Sequence, residues 1–342
     1  MIGLRPFSGE EILQPHRNHQ NLEAKMNRRA FLERSSLLAA AASLAPGGRA
    51  AAPSASRRMT VALVPGSIGV SVKTQRELNE LAHRHRFESV EPRTEELAGQ
   101  SSEELAATRA DLQAKGLAWA SAGLPVDFRR DDKTFRDALA RLPRLAAGLQ
   151  RAGVGRVGTW LSPSHDQLTY RANFTLHTAR LREVARILKD HGLRLGLEYV
   201  GTQLLLVGKR YPFVHTLAEA RELIAEIGTG NVGLVLDTWH WWTAGDTEAD
   251  LLALTAADVV AVDLNDAPKG LPREQQRDNE RELPVSTGVI DTATFVTALA
   301  RIGYDGPVRA EPFNKALNAL DNDPACAAVS AALHRAMDLI RS

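Results

Sequence analysis

Residues 231–240, NVGLVLDTWH, read as a short apolar strand that closes on an acid, and residues 248–258, EADLLALTAAD, read as the helix that follows. The same alternation runs outward in both directions. Upstream, MTVALVPG (59–66) precedes TQRELNELAHRH (74–85), FESVEP (87–92) precedes SEELAATRADLQAKG (102–116), and LAWASAGLPV (117–126) precedes DKTFRDALARLPRLAAGLQRAG (132–153), which Pro143 is expected to kink. VGRVGTWLSP (154–163) then leads to HTARLREVARILKDHG (177–192), and LRLGLEYVG (193–201) to LAEARELIAEIG (217–228). Downstream, VVAVDLNDAP (259–268) leads through a charged loop to TATFVTALARIG (292–303), and GPVRAEPF (306–313) to PACAAVSAALHRAMDLI (324–340). Strands alternating with helices of this length imply right-handed crossovers and a parallel sheet. Eight such units predict an α/β chain folded as a single (β/α)₈ TIM barrel over residues 56–342. An open doubly wound sheet would need a G-x-G-x-x-G turn after its first strand, and VPGSIGVS has a different spacing.

The chain has 342 residues, 44% of them apolar, enough for a large core. A formal net charge of +1 gives no global pull toward nucleic acid, and the single cysteine, Cys326, excludes an internal disulfide or a cysteine metal cluster. Residues 26–55, MNRRAFLERSSLLAAAASLAPGGRAAAPSA, read as an export signal: charges at Arg28 and Arg29, a short apolar stretch from Leu37 to Leu44, then small residues suited to cleavage. Arg28-Arg29 followed by Phe31-Leu32 resembles a twin-arginine signal, which addresses a folded protein to the periplasm through the twin-arginine machinery. Met26 is then the natural start, and residues 1–25 an over-extended one. No membrane association is expected of the mature form, and a homo-oligomer is compatible with the sequence.

Barrel chemistry sits at the C-terminal ends of the strands. The second strand ends in Glu91, the fifth in Glu198 and the sixth in Asp237; the seventh carries Asp263, and the eighth ends in Glu311. Carboxylates converging in apolar surroundings repel one another unless cations compensate them. The strands themselves supply only Arg194 and Arg309, so a divalent cation held by oxygen ligands is expected.

Four segments resemble the sugar phosphate isomerase/epimerase group with its xylose isomerase-like barrel: LEYVG (197–201), DTWH (237–240), VDLNDAP (262–268) and STGVIDTATFVTALARIGYDGPVRAEPF (286–313). The resemblance implies one divalent metal ion, Mn²⁺ foremost with Mg²⁺ or Co²⁺ as alternatives, held by Glu198, Asp237 and Glu311. It also implies that His240 contacts a substrate oxygen and that Arg281 binds substrate. Asp263 stands where many relatives place a ligating histidine; an aspartate there makes an all-oxygen site, or marks a metal weakened or lost.

The reaction this points to is proton abstraction α to the carbonyl of a keto-sugar, with Glu198 and Glu311 as acid and base on opposite faces. Isomerisation or epimerisation is the leading expectation, and a lyase or dehydratase sharing the first step comes next. A sugar-binding barrel without catalysis is a further alternative. Trp241 and Trp242 are expected to stack on a sugar ring beside Glu91. The chain shows no cluster of Lys, Arg and glycine marking a phosphate grip, so a neutral or oxidised sugar, such as a glycoside, is favoured. With only His240 on the rim strands and no basic stripe, a nuclease of the same fold is disfavoured.

Overall fold

The computed structural model describes residues 59–341, so the segments read as an over-extended start and an export signal lie outside the described residues. The strands are β1 (Thr60–Leu63), β2 (Ser89–Val90), β3 (in two pieces, Ala118–Trp119 and Ala122–Gly123), β4 (Arg156–Trp160), β5 (Arg194–Glu198), β6 (Val232–Asp237), β7 (Val259–Leu264) and β8 (Pro307–Ala310). All pair in parallel in chain order, and β8 returns to β1. The ring closes through the broken β3. Its first piece pairs with β2, where the Ala120 N–H donates to Val90, and its second pairs with β4, where the Leu124 N–H donates to Gly158. The predicted (β/α)₈ barrel is the observed fold.

The intervening helices form where the sequence supplies both an apolar stripe and a stop. The main ones are α1 (Gln75–Arg84), α2 (Ser102–Ala114), α3 (Asp132–Ala152), α4 (Tyr170–Asp190), α5 (Leu217–Ile227), α6 (Thr238–Ala244), α7 (Thr292–Arg301) and α8 (Asn322–Met337). The helix expected over 248–258 is shorter, Glu248–Leu252 followed by a 3-10 turn at Ala256–Asp258. Ser101 with Glu104 caps α2, and Thr216 with Glu219 caps α5, each pair satisfying N–H groups that the first turn leaves free. Gly153 and Gly228 end α3 and α5 in left-handed conformation. Pro143 sits inside α3, which continues through it to Ala152. Leu78, Phe135, Leu181, Leu223, Phe295 and Leu333, one from each of six helices, are at most 0% exposed and pack against strand residues such as Val61, Leu195 and Val262. No helix among the described residues is long and apolar enough to cross a membrane.

Register places the chemistry. Asp237 on β6 is the direct neighbour of Asp263 on β7, and Asp263 is the direct neighbour of Arg309 on β8. On the other side, Trp160 ends β4 opposite Glu198 at the end of β5.

Candidate active site

Parallel pairing carries the acids to one rim. One carboxylate oxygen from each of Glu198, Asp237, Asp263 and Glu311 lies within 4.8 Å of the others. Two guanidinium groups enter the ring. Arg309 grips both oxygens of Asp263, with Nη2 at 2.7 Å from Oδ2, and reaches Glu311 Oε1 at 2.8 Å. Arg281, from the loop between β7 and α7, donates from Nη1 to Asp237 Oδ2 at 2.8 Å and to Glu311 Oε2 at 3.4 Å. Its Nη2 donates to Asp278 Oδ1 at 2.8 Å. The planar side of Arg281 lies 5.3 Å from the Trp239 ring centre and 5.1 Å from that of Phe313, which holds φ at 45° to stand there.

Burial and mutual repulsion set the protonation of this ring. Burial holds Glu198 well above the ordinary carboxylate range, and Glu311, Asp263 and Asp237 push it further. Glu311 is also raised by burial, against the pull of Arg309. Asp237 is pushed up to about 7 by burial, with Arg281 opposing. Glu91 is raised by burial. His240 is driven down to about 3 by burial and by the adjacent Arg281, so it is neutral at physiological pH. The Gly201 N–H faces His240 Nδ1 at 3.3 Å, and Arg281 Nη2 faces His240 Nε2 at 3.3 Å. That nitrogen stands 3.7 Å from Asp278 and 3.9 Å from Glu198. A side chain on Gly201 would put its Cβ 2.5 Å from the His240 carbonyl, so this approach requires glycine.

Two cavities meet at the ring. One of about 290 Å³ is polar and is bounded by Glu91, Ser121, Arg129 and Arg309. The other, about 530 Å³, has an apolar wall of Val200, Leu205 and Phe313 and a polar one of Lys209, Asp278 and His240. Glu198, Glu311 and Trp160 border both. Trp160 is 47% exposed; one side of its indole is covered by Arg129 at 4.2 Å.

Of the residues expected from sequence, Glu91, Glu198, Asp263, Glu311, His240 and Arg281 all border these cavities, and Asp237 lies behind them against Arg281. Trp241 and Trp242 border neither. The helix α6 begins immediately after Asp237, and its 3.6-residue turn keeps His240 inward while swinging its neighbours out. Trp241 packs on Phe295 of α7 at 5.4 Å, and Trp242 meets Trp239 edge-on at 6.3 Å. The expected sugar-stacking role therefore falls to neither. Trp160 is the indole at the cavities, and strand-end logic applied to β4 would have found it.

Arg309, one of the two strand arginines, enters the ring and compensates two of its acids. Two residues apart on one strand, Arg309 and Glu311 share a face. Asp278 and Asn265 carry no such signal. Asn265 donates to both Asp237 oxygens at 2.9 and 3.0 Å, while its own side-chain oxygen accepts from the Glu311 N–H at 3.0 Å.

The ring fits a divalent cation in charge and donor type. Four carboxylates (−4) and two guanidinium groups (+2) leave a formal −2. Glu198 Oε1 is buried without a hydrogen-bond partner, an arrangement that calls for a cation or a proton. Glu198 and Glu311 carry the least committed oxygens. Asp263 is clasped by Arg309, and Asp237 already accepts from Trp239, Asn265 and Arg281.

The chain is similar to several known proteins. An inosose isomerase of Halalkalibacterium halodurans is 28% identical over 133 residues, 39% of this chain and 44% of that protein. A ketose 3-epimerase of Arthrobacter globiformis is 29% identical over 42% of this chain and 43% of that protein. A 3-dehydroshikimate dehydratase of Pseudomonas aeruginosa is 27% identical over 41% of this chain and 21% of its own length. The chain thus spans less than half the length of these relatives. A xylose isomerase domain protein from Alicyclobacillus acidocaldarius superposes with a TM-score of 0.72 at 32% identity, covering 82% of this chain and 99% of that one. Residues 80–336 match the family described as xylose isomerase-like TIM barrel, and the chain belongs to that family.

Proposed function

We propose that this protein is a carbohydrate isomerase or epimerase that moves a proton on the carbon α to a carbonyl of a keto-sugar. The observation that carries this reading is the pair Glu198 and Glu311. Both are raised toward protonation by burial, both border the two cavities, and one oxygen of Glu198 is left without a partner. A carboxyl group whose hold on a proton is strengthened by burial can both take and return one.

Glu198 takes the proton with its free oxygen and Glu311 returns it, or the reverse for the opposite epimer. The negative charge that develops on the substrate oxygens meets the guanidinium of Arg309 and, on the side of the second cavity, that of Arg281 beside His240. Trp160 offers an indole face to the C–H side of a sugar ring. A divalent cation held by Glu198 and Glu311, with Asp263 and Asp237, would polarise the carbonyl and the neighbouring hydroxyl; Mn²⁺ is the ion favoured, with Mg²⁺ or Co²⁺ next.

The apolar wall of Val200, Leu205 and Phe313 favours a substrate with an apolar part attached to the sugar, a keto-glycoside rather than a sugar phosphate. Similarity to a dehydratase supports a second reading in which the same proton abstraction ends in loss of a β-hydroxyl. Export through the twin-arginine route, on the strength of Arg28-Arg29, belongs to the same proposal and predicts recovery in the periplasmic fraction, lost on Arg28→Lys with Arg29→Lys.

The test is turnover by Glu198→Gln and Glu311→Gln against a panel of ketohexoses and keto-glycosides, with binding read separately by equilibrium dialysis. An enzyme loses turnover in both while retaining ligand. A chain whose conversion survives both substitutions uses other groups, and one that binds but never converts a ligand is a binding protein.

A further inference from the structure

The two arginines of the ring are placed differently. Arg281 is 1% exposed, held between two aromatic rings and tied to Asp237, Asp278 and Glu311. Arg309 is 27% exposed and stands at the wall of the polar cavity. Its anchors are the acids themselves. Asp263, 0% exposed, accepts hydrogen bonds only from Arg309 among the described residues, and the same Nη2 joins it to Glu311. Their register as direct neighbours on adjacent strands means that the guanidinium reaches Asp263 without backbone adjustment.

We propose that Arg309 is a resident cation of this ring, which holds Asp263 and Glu311 when no ion is bound and competes with a divalent metal for them. The inference rests on reading the ring as a cation site. A guanidinium gripping an aspartate side-on uses both of its oxygens. A metal entering beside Glu198 must therefore share Asp263 with Arg309 or displace it, against the repulsion of a positive charge a few ångströms away. The cavity wall is where the arginine has room to swing. Arg309 thus lowers the affinity of the ring for divalent ions and compensates Asp263 and Glu311 when none is bound.

Titration calorimetry with Mn²⁺ on the full chain, stripped with chelator and exchanged into ion-free buffer, tests this. Three chains are compared: wild type, Arg309→Met, which keeps the stem and loses charge and donors, and Arg309→Lys, which keeps the charge. Arg309→Met should bind Mn²⁺ at least about tenfold more tightly than wild type, and its Tm should rise more on adding the ion. Arg309→Lys should stay nearer wild type than Arg309→Met does. An Arg309→Met chain that folds only when Mn²⁺ is supplied gives the same answer, because the ion then takes over the arginine's place. Tight binding by wild type that Arg309→Met leaves unchanged overturns this inference alone. Absence of Mn²⁺ binding by all three chains overturns it together with the reading of the ring as a cation site.

Discussion

Arg281 donates to Asp237 at 2.8 Å, and neither side chain is more than 1% exposed. Removing one partner of so buried a pair leaves an uncompensated charge, a loss of about 3–5 kcal/mol. Arg281→Met should lower stability to urea by that order and abolish turnover. The double variant Arg281→Met/Asp237→Asn should recover part of the stability without recovering activity. Equal stability of the single and double variants would show that the pair is not coupled.

The indoles separate stacking from packing. Trp160→Ala should raise KM for a sugar severalfold with little change in stability, since Trp160 is half exposed. Trp241→Ala should do the opposite. Trp241 is 6% exposed against Phe295, and emptying such a position costs about 3–5 kcal/mol. Steady-state kinetics and chemical denaturation of the two variants check both halves.

His177, on α4, is buried between Phe128 and Phe213, and burial depresses its pKa from 6.5 to about 4. The unfolded chain then binds a proton that the folded chain refuses, so stability is full above pH 6.5 and falls as pH drops toward 4, where the loss saturates. The window corresponds to about 3 kcal/mol. His177→Phe should flatten this part of the stability profile. An unchanged slope between pH 6.5 and 4 would assign acid sensitivity to other groups.

Asp266 gathers the active-site loop. Its carboxylate accepts the backbone N–H groups of Thr287, Gly288, Val289 and Ile290 at 2.7 to 3.1 Å, and that of Ala267 at 2.8 Å. Asp266→Ala leaves these donors unpaired and should destabilise the chain by about 3 kcal/mol. Trypsin should then cleave faster at Lys269, Arg273 and Arg277, and kcat/KM should fall because Arg281 is carried by the same loop. Unaltered cleavage rates would mean that other contacts hold it.

Much of the site could be read from the chain before its structure. Glu198, Asp237, Asp263 and Glu311 converge because parallel strands in a closed barrel all deliver their last side chains to one rim. His240 follows from its position one helical turn past Asp237. Arg309 was legible as well, since period two puts it on the face of Glu311. Arg281 and Asp278 arrive on a loop whose path is set by Asp266, and no periodicity reports that. The tryptophan cluster misled because Trp241 and Trp242 follow a helical turn that begins at Thr238, so adjacency to Asp237 in sequence does not place them beside it.

Proton transfer at carbon is read directly by solvent deuterium. The purified chain, with Mn²⁺ supplied, is incubated in D₂O with ketohexoses and keto-glycosides, and exchange is followed by proton NMR. Deuterium is expected at the carbon α to the carbonyl, at a rate reduced by orders of magnitude in Glu198→Gln and in Glu311→Gln. A ligand that binds at the ring with no exchange in the wild type, or exchange that both variants preserve, would contradict it.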